Sequence, residues 1–304
     1  MEVIDLLKPK SVENVKNIEG HSGAIYDIIC FEGSLFTASA DKFVAQWDIA
    51  EGKQTDFAVK LDYSSYCLAY SPKTNLLAIG GNTGAIHVVD IARREEVRML
   101  TQHKASVFSL SYNPIKGHFY SGDRNGYFCV WDSETFDLLL TLPFECGKIR
   151  KVAMSENGEQ IAICGQDGWI RILETEYFNQ LVEFDAHKDG ANCALFDGNH
   201  LYSGGKDAHF RKWNWKEKQM LREIPGHNYA VYDIDFLDNK TKIVTVSFDK
   251  TIKLWDTETL SIIERIEYKN GGHRHVVNRI AKISEQEFAT VSDDKKIKIW
   301  KLKA

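Results

Sequence analysis

This sequence has no run approaching the ~20 consecutive apolar residues of a membrane-spanning helix. Its first ten residues carry acids where a secretory leader needs bases, and their apolar stretch is too short. The expectation is a cytoplasmic protein with no membrane contact. Six cysteines occur, at Cys30, Cys67, Cys129, Cys146, Cys164 and Cys193, but none are spaced Cys-x-x-Cys. That argues against a zinc site or a disulfide framework and for reduced thiols in a core, with no metal and no cofactor. No long run of like charge is present, and 38 basic against 43 acidic residues leave a net charge of −5. A protein that neutralises many phosphates usually carries a basic stripe, so nucleic acid is not expected as the main ligand unless a local basic patch forms. No segment of useful length has helical periodicity, which points to an all-β protein.

What the sequence has in place of these is repetition. An aromatic or apolar residue followed by a polar one recurs as Trp47-Asp48, Val89-Asp90, Trp131-Asp132, Leu173-Glu174, Trp213-Asn214, Trp255-Asp256 and Trp300-Lys301. The steps are 42, 42, 42, 40, 42 and 45 residues. Six residues before each aromatic position stands Asp41, Thr83, Asn125, Asp167, Asp207, Asp249 or Asp294, mostly the Asp and Asn that tight turns favour. Histidine marks a third register at His21, His103, His187, His227 and His273, 20–22 residues before the turn position. A period of about 40–45 residues with this dipeptide indicates a four-stranded propeller blade, here seven times over. In the first repeat the strands are expected at Ala24–Phe31, Leu35–Ser39, Phe43–Ile49 and Phe57–Leu61, each short, apolar and bounded by turn residues.

The whole of 1–304 is thus expected to be a single seven-bladed ring. The last repeat supplies only three strands, and Val12–Ile18 lies where an outer strand belongs but without companions. The expectation is that Val12–Ile18 pairs beside Lys296–Leu302 and closes the ring, leaving no strand edge open there.

From about Ser11 to Leu302 the chain resembles the tryptophan–aspartate (WD) repeat β-propeller family. The resemblance implies a His, a Ser or Thr, an acid and a Trp hydrogen-bonded in series within a blade. By position these are His21, Thr37, Asp41 and Trp47 in blade one, and His103, Ser121, Asn125 and Trp131 in blade three. Blade five offers His187, Ser203, Asp207 and Trp213, and blade six His227, Thr245, Asp249 and Trp255. Blade seven offers His273, Thr290, Asp294 and Trp300. Indole only donates, a hydroxyl relays and a carboxylate only accepts, so such a chain satisfies every member. Its recurrence argues against a hydrolase, since five copies of one active site make no sense. Blade two lacks the histidine and has Val89; blade four has Glu145 near the histidine position and Leu173. Both are expected to be held by apolar packing alone.

The resemblance also implies that one end of the ring engages peptides or protein surfaces. Two positions per blade face that end. One set is Tyr26, Tyr66, Phe108, Arg150, Asn192, Tyr232 and Asn278; the other is Ala40, Asn82, Arg124, Gln166, Lys206, Phe248 and Asp293. Tyr232, Phe248, Tyr26, Tyr66 and Phe108 make an aromatic arc, and Arg124, Arg150 and Lys206 a basic one. Aromatics and Arg dominate protein interfaces. The expected function is therefore a non-catalytic scaffold, a lone ring or a subunit of a larger complex. It would bind an acidic peptide or protein with apolar anchors. The alternatives are an enzyme with its site at the channel mouth and a nucleic-acid binder using the basic residues.

Overall fold

The first repeat shows how a blade is made. In the computed structural model, which describes residues 11–303, Ile25–Phe31, Ser34–Ser39, Phe43–Asp48 and Lys53–Lys60 pair antiparallel in chain order. The first hairpin turns on Glu32 and Gly33, both with positive φ (48° and 72°), the geometry that matches strand twist. At the second turn the Phe43 amide donates to Asp41 Oδ1 at 3.0 Å. The fourth strand begins four residues before the expected Phe57. Lys53 and Gln54 pair with Asp48 and Trp47, and they are too polar and exposed to carry an apolar signal.

Among the described residues there are seven four-stranded sheets, no α-helix, and one 3-10 turn at Tyr268–Asn270. The second strand of each blade is buried along nearly its whole length, as in Ser34–Ser39, whereas outer strands such as Glu95–Leu100 are mostly exposed. A single sheet cannot cover both of its faces, so each must borrow its neighbours. Phe36, Ala38 and Val44 of blade one pack with Leu68, Leu77 and Ile79 of blade two. The same arrangement continues around the ring to Ile297 and Ile299, which pack against Ile25, Ile28 and Trp47. The ring is closed by Val12–Glu19, which runs antiparallel to Lys296–Leu302 from Val12↔Leu302 to Glu19↔Lys296. The amides of Ser11 and Val12 donate to Glu264 Oε2 of the preceding blade at 2.6 and 2.9 Å.

In blade one the Trp47 indole donates to Thr37 Oγ1 (2.8 Å), which lies 2.7 Å from His21 Nε2, while His21 Nδ1 lies 2.8 Å from Asp41. Nδ1–H donating to the acid and Nε2 accepting from the hydroxyl satisfies the whole series. Blades five, six and seven repeat it through Ser203, Thr245 and Thr290, with indole donors at 2.9 Å. Their histidines meet Asp207, Asp249 and Asp294 at 2.9–3.1 Å. Burial pushes the pKa of His187, His227 and His273 down, against the pull of these acids, which keeps the imidazoles neutral.

Blade three departs from expectation. Its series runs through Trp131, Ser121 and His103, but the acid is Asp123, 3.0 Å from His103 Nδ1. Asn125 only donates its amide to Asp123 Oδ1 (2.9 Å). The reason is positional. In blade one, Ser39 stands at the end of the second strand and caps the turn acid's amide; in blade three Asp123 occupies that place and does both jobs.

Blades two and four are not held by apolar packing alone. In blade two the Tyr63 hydroxyl takes the missing histidine's place and bonds His87 Nε2, whose Nδ1 lies 2.7 Å from Glu96. Gly81 makes room, since a Cβ there would lie 3.1 Å from the Tyr63 ring. In blade four Cys146, not Glu145, fills the histidine position beside Gly165, and Asp167 pairs instead with Arg171 at 2.7 Å.

Candidate functional site

The innermost strand of every blade contains a β-bulge at the same place. Pairing with the second strand skips Tyr26, Tyr66, Phe108, Arg150, Asn192, Tyr232 and Asn278 in turn. A bulged residue leaves the ladder and its side chain is re-aimed. Here all seven side chains turn toward one end of the central channel, where they line a cavity of about 500 Å³. Asn82, Arg124, Phe248 and Asp293 reach the same cavity from the turns between second and third strands.

Aromatic contacts organise the lining. The Tyr66 and Phe108 rings stack at 5.1 Å, and Tyr26 meets Tyr66 edge-on at 5.4 Å. Across the mouth Phe248 lies between Tyr232 and Tyr229 in edge contacts of 6.1 and 5.9 Å. Phe248 is 46% exposed and Tyr229 61% exposed, so large apolar surface remains open to a ligand. Burial raises the pKa of Tyr26 and Tyr232, aided by the Asp293 charge, so both stay protonated donors.

Of the residues expected here, Ala40, Gln166 and Lys206 are not part of the lining; Lys206 is exposed beside the Gly190 turn. Lys148 takes its place, with Nζ 4.6 Å from the Phe108 ring centroid. Lys148 lies two residues before the bulge position of blade four, outside the two positions per blade that the family resemblance points to.

Arg279, shared with a second cavity in the channel, leads from the mouth to a group of charged side chains. Arg279 reaches Asp27 (3.4 Å) and Asp233 (3.9 Å), and Lys151 reaches Asp233 (3.4 Å). The carboxylates also accept backbone amides of adjacent blades, Asp27 from Leu68 (2.7 Å) and Asp233 from Ile280 (3.1 Å). These bonds stitch inner strands together where neither partner belongs to a shared sheet. Among the described residues no group of three or more His, Cys, Asp and Glu is placed to hold a metal ion.

Asp235 lies two residues beyond Asp233 in the same cavity and, among the described residues, accepts only the Phe236 amide, at 2.8 Å. Burial, with the Asp233 charge, pushes its pKa up to about 6. A carboxyl whose folded pKa is raised costs stability above that pKa and nothing below its unfolded value. Asp235→Asn is therefore expected to stabilise by about 1–2 kcal/mol at pH 7.5 and by much less at pH 4. Thermal melts at the two pH values check this, and equal midpoints at pH 7.5 would contradict it.

Seven radial sheets around a channel, five of them carrying the His–hydroxyl–acid–Trp series, define a repeat β-propeller with a ligand-sized mouth. The chain belongs to the WD domain, G-beta repeat family, whose profile matches residues 12–48, 94–132, 178–214 and 218–256. The unmatched stretches include the third strands of blades two and four, which have Val89 and Leu173 where the relay tryptophan of the other blades stands. The chain is 21% identical to kinesin-like protein KIF21B of Homo sapiens, across 94% of this chain and 19% of that protein. It is 25% identical to human pre-mRNA-processing factor 17, across 78% of this chain and 43% of that one. Nuclear distribution protein PAC1 of Fusarium vanettenii is 32% identical across 38% of this chain and 28% of its own length. The chain thus spans about a fifth of the kinesin-like relatives.

Proposed function

We propose that this chain is a non-catalytic interaction module that docks a peptide segment or protein surface at the bulge-lined mouth. The observation that carries the reading is the convergence of half-buried aromatic and cationic side chains from different blades on one concave site of about 500 Å³. Such a site, with aromatic walls set among convergent polar and charged groups, suits a short segment carrying large anchors. The hydroxyls and imidazoles of the five tetrads are engaged with one another, each hydroxyl already accepting an indole N–H. The relatives' names point to different processes. That agrees with a shared scaffold whose mouth differs from one protein to the next.

Replacing Tyr232 and Phe248 together with Ala is expected to weaken partner capture about tenfold or more, since buried aromatic anchors carry 2 kcal/mol or more in such sites. Affinity purification with the parent and the double variant, quantified by mass spectrometry, reads the loss. Retention of every partner by a variant with an unchanged melting temperature would overturn the proposal.

A further inference from the structure

Three cations meet on one side of the mouth with no anion between them. Arg124 comes from blade three, and Lys148 and Arg150 from blade four. None of the three forms an ion pair among the described residues, and the half-buried Arg150 guanidinium, with five donors, finds no side-chain or carbonyl acceptor there. Burial and the charges of Arg150 and Arg124 together push the Lys148 pKa down, so the group is electrostatically uncompensated. Arg279 also reaches the mouth, but it is engaged by Asp27 and Asp233.

Half a ring away, blade seven presents a single carboxylate. Asp293 Oδ1 accepts from Asn278 Nδ2 at 2.8 Å, and no cation pairs with it among the described residues. The aromatic walls lie between these two poles. Unpaired charges at an interface select partners of the opposite sign and fix their direction.

We infer that the segment bound at the mouth is dipolar, placing an anionic oxygen group on Arg124, Lys148 and Arg150 and a cationic group against Asp293. This rests on the interaction reading above and adds the partner's charge pattern and its polarity across the ring. Three cations exceed what one carboxylate neutralises, so two acids or a phosphorylated side chain complement the pole better than a lone acid. Both present the same anionic oxygens to guanidinium and ammonium donors.

The test uses the full chain panned against a phage-displayed library of random dodecapeptides. Peptides are kept if binding is lost in a folded Phe108→Ala variant. A preferred peptide is then synthesised with Glu, phosphoserine or Gln at its acidic position, and with Lys or Gln at its basic one. Fluorescence polarisation reads binding to the parent, to Lys148→Gln/Arg150→Gln, and to Asp293→Asn. The expected result is that neutralising the acid weakens binding to the parent about tenfold and weakens binding to Lys148→Gln/Arg150→Gln, which keeps only Arg124, far less. Neutralising the base should likewise weaken the parent and spare Asp293→Asn. Tighter binding of phosphoserine than Glu identifies phosphate as the better anion; equal binding identifies carboxylates. Mouth-dependent peptides without an acidic preference, or penalties equal in parent and variants, overturn the dipolar inference while leaving the interaction site standing. If no peptide depends on Phe108, both readings fall.

Discussion

Trp300→Ala is expected to destabilise the protein by about 3–5 kcal/mol, the usual range for removing a large aromatic from a packed core. Trp300 is 1% exposed, donates to Thr290 Oγ1 at 2.9 Å, and packs in the cluster formed by blades six and seven with Val12 and Leu302. The substitution would leave a cavity at the seam where the ring closes and orphan the Thr290–His273–Asp294 series, whose members are all buried or nearly so. A typical domain has only about 5–15 kcal/mol to lose. Trp300→Phe keeps most of the volume but removes the donor, and is expected to cost about 1–2 kcal/mol. Urea unfolding followed by circular dichroism measures both. A loss under 1 kcal/mol for the alanine variant would show that the tetrad is not a stabilising unit.

Removing residues 1–18 should lower the melting temperature by about 10 °C or more. The deleted segment contains most of Val12–Glu19, which supplies the ladder beside Lys296–Leu302 and buries Val12 (3% exposed) and Ile18 (2% exposed) on both sides of the closing blade. Burying two such side chains is worth about 3–6 kcal/mol, and each kcal/mol moves the midpoint of a large domain by roughly 2–4 °C. The deletion also opens the edge of Lys296–Leu302 to pairing with other chains. Association visible by light scattering should therefore accompany the lower midpoint. An unchanged midpoint would mean that the strand is dispensable to closure.

Blade count, strand order and ring closure were legible in the sequence. Trp47, Trp131, Trp213, Trp255 and Trp300 recur at near-constant spacing, and Val12–Ile18 was an outer strand without a sheet. The relay partners were harder to read. Asn125 sits where the acid of other blades stands, yet Asp123 does its work, because two side chains two residues apart can reach the same imidazole. Tyr63 and His87 replaced an absent relay in a way no motif announces. At the mouth, Lys148 of blade four lines the cavity over the Phe108 ring of blade three, whereas Lys206 of blade five does not reach it.

By itself the sequence determined the architecture, because a propeller blade is specified by short-range patterns: alternation, turn residues and a repeating indole. The residues of the mouth were placed by their position in the repeat; only the tertiary structure decided how they meet. They come from strands about 40 residues apart, and a bulge at each turns them into one cavity, where ring contacts and unpaired charges depend on their neighbours.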